Sequence, residues 1–276
     1  MESYTCEEIT QAPKIDYRNL HRLLKSSYGI TQARVTDLTG YEDCNLLLSD
    51  VVWKNGGPSH AILKVTNPIE ARSDENIDFQ IRLCDVLNMN GIPCPKTIKR
   101  LDGRDWAWEV IADKVQLPVR LFEVLPGTNL ENFNFEPELV QEIGRLLAKF
   151  HNVVDKSKLS ITHVPYIAVA HRQSILKEME LQLEASLISA DKAQLIRDCL
   201  AEFNDRIGNN CEHNEIGLIH SDFNETNILV CEEHGKMKIT GLLDFGDVHH
   251  SSVSLTSHQR YCIFTFPTNY PKVSSF

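Results

Sequence analysis

Gly217–Val230 reads GLIHSDFNETNILV, and Lys238–Val248 reads KITGLLDFGDV. In the first stretch apolar residues bracket a polar island holding His220, Asp222 and Asn227. In the second an apolar run delivers Asp244 and Asp247, with Gly246 between them. A polar island between short apolar runs is the pattern of buried strands flanking a turn. The acids and the amide are therefore expected on rigid supports, in a strand-rich patch from Ile216 to Leu243.

Those residue types suit one chemistry in particular. Phosphoryl transfer needs few covalent players. It needs oxygen ligands for the magnesium that bridges the phosphates, and a carboxylate to orient or deprotonate the attacking hydroxyl. Asp222, Asn227 and Asp244 are such groups. Asp244 ends an apolar run and is expected to be a buried charge that needs a cation. His220 reads as a hydrogen-bonded core histidine that holds the loop. Asp247 divides evenly between a second metal-site acid and a helix cap.

Working outward, Asp16–Tyr28 places Tyr17, Leu20 and Leu24 at helical spacing, and Gly29 stops the run. Val51–Trp53 and Ala61–Val65 flank Lys54-Asn55-Gly56-Gly57-Pro58, which reads as a hairpin. A helix is expected from Ser73 to Asn90 with Ile77, Ile81, Cys84 and Leu87 on one face, ended by Gly91 and Pro93. Strands are expected at Trp106–Ala112 and Val119–Val124. Leu125-Pro126-Gly127 breaks the pattern. Beyond it the segment Pro137–Val154 carries a stripe of Leu139, Ile143, Leu146, Leu147 and Phe150. Two more helices are expected within Gln173–Leu187 and Asp191–Ile207. This order predicts an α+β, bilobal fold: a sheet-rich lobe over 1–124, a helix-rich lobe over 125–250, and a divergent tail over 251–276.

His220-Ser221-Asp222, with Asn227 five residues after the aspartate, resembles the catalytic loop of the protein-kinase-like superfamily, and Asp244-Phe245-Gly246 resembles its metal-binding signature. Ser221 stands where phosphorylation-regulated protein kinases carry an arginine. The motif is instead similar to that of the aminoglycoside phosphotransferase and choline kinase family. Within that family, Tyr41-Glu42-Asp43 with Asn45, Leu125-Pro126-Gly127, Asp222-Phe223-Asn224 and Leu242-Leu243-Asp244-Phe245-Gly246-Asp247 most resemble the hydroxylysine kinase branch. The resemblance implies a cytoplasmic small-molecule kinase that moves the γ-phosphate of GTP (or ATP) to the hydroxyl of 5-hydroxy-L-lysine. It implies Asp222 as the catalytic carboxylate and Asn227 and Asp244 as ligands of Mg2+. It implies Lys64 on the nucleotide phosphates, with Asp78, or else Glu75, as its acidic partner. Phe122, Glu123, Val124 and Leu125 match the lobe-connecting segment whose backbone reads the base. The turn Gly40–Asn45 occupies the phosphate-covering position. Alternatives are choline, ethanolamine, homoserine or an aminoglycoside as acceptor, or a non-catalytic nucleotide-binding fragment.

Composition sets the outer bounds. The 276 residues carry a formal net charge of −10, which disfavours a nucleic-acid partner. The eight cysteines form no closely spaced pair, so free thiols are expected rather than zinc ligands. Neither a signal peptide nor a membrane span is expected. After Val248 the sequence leaves the family pattern. The expectation is a truncated or alternatively spliced form with an incomplete large lobe, an uncovered stripe on the helix at 137–154, local disorder from His249 onward, and little or no activity. His249-His250 as a metal pair lacks further ligands nearby.

Overall fold

The computed structural model describes residues 12–38, 40, 42–163, 172–206 and 215–253. It divides into two compact units: Met1–Leu159 with Glu225–Gly246, and Ser160–Asn224 with Asp247–Phe276.

The first unit opens with α1 (Tyr17–Ser27). Its N-terminus is satisfied by Asp16, whose carboxylate accepts the Asn19 N–H at 2.7 Å. β1 (Ile30–Leu38), β2 (Cys44–Trp53), β3 (Ala61–Val65), β4 (Trp106–Ala112) and β5 (Val115–Glu123) make one antiparallel sheet in the order β1-β2-β3-β5-β4. β3 shows why two faces matter. Ala61, Leu63 and Val65 are buried and join Leu20, Leu23 and Leu24 of α1 in the core, while Ile62 and Lys64 turn to the other face. In register, Lys64 lies opposite Asn45 on one side and Arg120 on the other.

α2 (Asp74–Met89) is capped by Ser73, whose hydroxyl accepts the Asn76 N–H at 3.2 Å, and Gly91 follows at φ +72°. Its buried row is Asn76, Ile77, Phe79, Gln80, Leu83, Cys84 and Leu87. Ile81, expected in that row, is only half-buried.

β6 (Thr128–Asn129) pairs β8 (Ile228–Glu233), which pairs β9 (Lys236–Leu242). α3 (Pro137–Ser157) packs against α2 and β9. Its stripe of Leu139, Ile143, Leu146, Leu147, Phe150 and Val154 is buried. The expectation of an uncovered stripe is therefore corrected: the stripe is buried, and α2 and β9 pack against the helix.

The second unit holds α4 (Arg172–Glu184) and α5 (Ala190–Arg206), which pack together, and β7 (Ile216–Ile219) paired antiparallel with β10 (His249–Ser252). His249 lies opposite Ile219 and Ser252 opposite Ile216. The expectation of disorder starting at His249 is corrected over His249–Ser252, which is ladder-bonded strand. The apolar run Arg260–Phe266 and the residues after it lie outside the described residues, as does the N-terminus through residue 11. Cys44, Cys84, Cys94, Cys199 and Cys231 are free thiols. No helix among the described residues is long and apolar enough to cross a membrane.

Candidate active site

Lys64 is delivered by β3 onto the face away from the core, and its Nζ sits 2.5 Å from Asp43 Oδ2. Both side chains are nearly enclosed, at 14% and 11% exposure. Burial pushes the Lys64 ammonium down, but Asp43, then Asp244 and Glu70, outweigh it and hold the amine above its ordinary range. Burial pushes Asp43 up, and Lys64 outweighs that, so its carboxyl lies below the usual range. For Glu42, partial desolvation and then the charges of Asp43, Asp244 and Glu70 raise the carboxyl. Lys64 is thus, with Arg120, a cation of a carboxylate-rich site built from the β1–β2 turn, the 3-10 turn Glu70–Arg72 and the segment after β9.

The expected partner from α2 is corrected. Asp78 accepts the Trp106 indole N–H at 2.7 Å, and the ion pair of Lys64 is with Asp43. The helix row that is buried carries amides instead. Asn76 donates to the Gly246 carbonyl at 3.3 Å and Gln80 to Glu70 at 2.5 Å. The sequence signal for Asp43 was its place in Tyr41-Glu42-Asp43, which carried the family resemblance without a role of its own.

Asn227 and Asp244 stand at one end of the β8–β9 hairpin. Ile228 pairs Leu242, and the Leu243 N–H donates to the Asn227 carbonyl at 2.8 Å. Asn227 is buried, whereas Asp244 is exposed at φ +58°. The expectation that Asp244 is a buried charge is corrected: the chain turns outward into a left-handed conformation that costs a residue with a Cβ about 1 kcal/mol or more. Phe245 beside it is buried, and a Cβ on Gly246 would stand 3.2 Å from Glu70 Oε2 and 3.6 Å from Asp244 Oδ1. Glycine lets this segment lie against Glu70. No three acid, imidazole or thiol side chains cluster as a metal site among the described residues. One carboxylate and one amide oxygen still suit magnesium, which keeps waters and takes substrate phosphate oxygens as further ligands.

The segment expected to connect the lobes leaves β5 at Glu123, and both of its flanks lie in the first unit. Phe122 bridges Thr97, and the Glu123 N–H donates to the Lys96 carbonyl at 2.9 Å. That N–H is committed, so carbonyls and the main chain of Val124 and Leu125 remain as groups for a base. Gly127, at φ +107°, comes two residues later.

In the second unit His220 is fully buried and meets the Phe223 ring edge-on at 6.0 Å. Its burial agrees with a core histidine. Ser221 takes φ +68°. Asp222 is half-buried, and its Oδ1 accepts from the Asn224 side-chain amide at 2.6 Å. The Asn224 N–H returns to the Asp222 carbonyl at 3.1 Å. Asp247 caps no helix: β10 comes after it, and its carbonyl accepts from His249 Nδ1 at 2.8 Å.

The comparisons with known proteins agree with one another. The curated hydroxylysine kinase of Bos taurus is 25% identical over 245 residues, covering 83% of this chain and 63% of the relative. The chain thus spans under two thirds of that relative's length. Among solved structures, amicoumacin kinase in complex with AMP-PNP, Ca2+ and Ami superposes with a TM-score of 0.62 at 18% identity, over 86% of this chain and 66% of that one. A microcompartment-associated aminopropanol kinase gives 0.55 at 16% identity, over 92% and 82%. At such identities these structures establish the protein-kinase-like fold. The model of the phosphotransferase enzyme family matches residues 47–254, from β2 through β10, and the chain belongs to that family.

Proposed function

We propose that this chain is a nucleotide-dependent kinase of a small hydroxylated amine, with 5-hydroxy-L-lysine as acceptor and GTP as donor. The observation that carries the reading is the Lys64 site. An enclosed ammonium on the sheet faces carboxylates from the turns around it, beside an Asp-Phe-Gly turn with Asp244 exposed. Lys64 would contact the donor phosphates. Asp244 and Asn227 would hold a magnesium ion, which when bound neutralises charge on the phosphates. Phe122, Glu123, Val124 and Leu125 would line the base. Asp222 would accept the hydroxyl proton as the acceptor oxygen bonds to the γ-phosphorus and the bond to the β–γ bridging oxygen breaks. The likeness to hydroxylysine kinase and the motifs shared with that branch support the acceptor and donor. An acidic chain facing a cationic amino acid fits the same reading.

The test is a paired assay. Purified chain is mixed with Mg-GTP or Mg-ATP in a thermal-shift experiment and, separately, followed for phosphorylation of 5-hydroxylysine, choline, ethanolamine and homoserine. Stabilisation by GTP with weak turnover of hydroxylysine, below the roughly 1 to 100 per second ordinary for kinases, is the expected result. Turnover of another acceptor alone overturns the substrate, and no response to either nucleotide overturns the kinase reading.

A further inference from the structure

We infer that Asn67 is a positioning residue: it fixes Asp43, and through Asp43 the phosphate-facing lysine Lys64, in place of an acid from the helix α2. The role rests on the kinase reading, but the geometry stands by itself.

Asn67 lies three residues beyond Lys64, just after β3, and is 4% exposed. It presents two donors to one oxygen. Its backbone N–H reaches Asp43 Oδ1 at 2.8 Å and its side-chain amide reaches the same atom at 3.0 Å. Oδ1 is thereby occupied, and Oδ2 is turned to Lys64 at 2.5 Å. The other end of Asn67 is anchored as well. Its Oδ1 accepts the Glu70 N–H at 2.8 Å, and its amide also lies 3.4 Å from Glu70 Oε2. Glu70 is in turn held by Gln80 at 2.5 Å and by Arg120 at 3.4 Å, and Arg120 also donates to Gln80 at 2.8 Å and to Thr66 at 3.2 Å. Arg120 is 2% exposed and Thr66 and Gln80 are buried, so water does not compete for these bonds.

The amide chemistry explains why asparagine is needed. Only a side chain with both a donor and an acceptor can bind the Asp43 carboxylate and the Glu70 N–H together. An aspartate there would set a third carboxylate against Asp43. An alanine would leave Asp43 one hydrogen bond, from the backbone, and leave the Glu70 N–H without its partner. Loosening Asp43 loosens Lys64, because the amine's closest counter-charge comes from a turn rather than from a packed helix.

The experiment reads Lys64 directly, without nucleotide. The chain is treated with a trace of acetic anhydride, and acetylation of Lys64 is compared with that of the exposed Lys54 by peptide mass spectrometry. In the wild type Lys64 should react more slowly than Lys54. In Asn67→Ala the Lys64 rate should rise by about fivefold or more, and in Asn67→Ser, which keeps a hydroxyl donor, by less. In an Asp43→Asn background the Asn67→Ala change should add less than about twofold, because residues acting through one another are not additive. Far-UV circular dichroism identifies folded variants, and Asn67→Ser serves if Asn67→Ala does not fold. An Asn67 variant that folds and leaves the Lys64 rate unchanged overturns the role. So does an equal rise with and without Asp43, which would indicate general loosening. Mg-nucleotide affinity, measured alongside, should fall about tenfold in Asn67→Ala. A wild type that binds no nucleotide brings down the kinase reading, while the acetylation rates still decide the network.

Discussion

Asp222 and Asp244 are both aspartates in or beside left-handed turns, yet their surroundings assign them different tasks. Asp222 is half-buried and takes an amide hydrogen bond from Asn224, and the proposed reaction gives it the part of proton acceptor. Asp244 is exposed at the end of β9, with its charge felt by Lys64 and Glu42. A cation between a nucleotide and this aspartate would relieve a site with an excess of carboxylates. The two should therefore separate in mutants. Asp222→Asn keeps size and polarity but removes the base, so hydroxylysine phosphorylation should drop by roughly a hundredfold or more while the Mg-GTP thermal shift stays. Asp244→Ala should abolish the magnesium-dependent part of that shift. An Asp222→Asn chain with near-normal turnover would remove Asp222 from the reaction. The Asp43–Lys64 pair makes its own claim on pH. Asp43 titrates below its ordinary value of 3.8 when folded, so the stability it lends is complete above that value and is lost as pH falls through the folded one. Asp43→Asn should flatten the acid side of a melting-temperature profile below about pH 4.

At the scale of elements, legibility depended on how local the signal was. Both strands of the hairpin around Gly56, β4 at Trp106–Ala112, α2 and α3 were readable because periodicity and stop residues lie within each segment. β1 escaped notice because its burial is confined to one end: Ile30 is buried, while most of the strand beyond it is exposed edge. The partner of Lys64 was misplaced for a related reason. A helix acid is a local guess, whereas Asp43 reaches Lys64 only through the β2–β3 pairing that sets Cys44 opposite Val65. The Leu125-Pro126-Gly127 break, in contrast, carried its reason in the sequence. Gly127 takes φ +107°, and a Cβ there would meet Thr240 Oγ1 at 2.5 Å and the Val230 carbonyl at 2.6 Å. The carbonyl belongs to β8 and cannot yield, and Thr240 is held by its hydrogen bond to the Pro126 carbonyl at 2.6 Å. Gly235 has a comparable backbone at φ +76° but open space around it. Gly235→Ala should cost about 1 kcal/mol of backbone strain, and Gly127→Ala more than the roughly 3 kcal/mol that strain alone reaches. At about 2–4 °C per kcal/mol, the two melting temperatures should differ by several degrees. Equal losses would show that the Leu125–Gly127 crossing tolerates a side chain.

Across the whole molecule, the residues proposed for the reaction are divided unevenly between the two units. Lys64, Asp43, Glu70, Asn227, Asp244 and the segment Phe122–Leu125 belong to the first, whereas His220, Asp222 and the paired helices α4 and α5 belong to the second. The polypeptide crosses between them near 159, 224 and 246, and two of those crossings fall inside the two stretches that define the motif pattern. Nucleotide and metal affinity should then be a property of the first unit. Hydrogen exchange can read this residue by residue, because a ligand that binds only the folded state slows opening of the segments it holds. Mg-GTP at about 100 times its dissociation constant contributes roughly 2.7 kcal/mol, a slowing of about a hundredfold where opening and release are coupled. Protection should appear in β2, β3, the turn at Glu42–Asp43 and the β8–β9 hairpin. It should be weakest in α4 and α5, where Ile175, Leu181 and Leu195 are already exposed. Adding 5-hydroxylysine after the nucleotide should extend protection to His220–Asn224, where the acceptor hydroxyl would meet Asp222. Protection that begins in α4 and α5 with nucleotide alone would place the donor site elsewhere and take the Lys64 cluster out of the reaction.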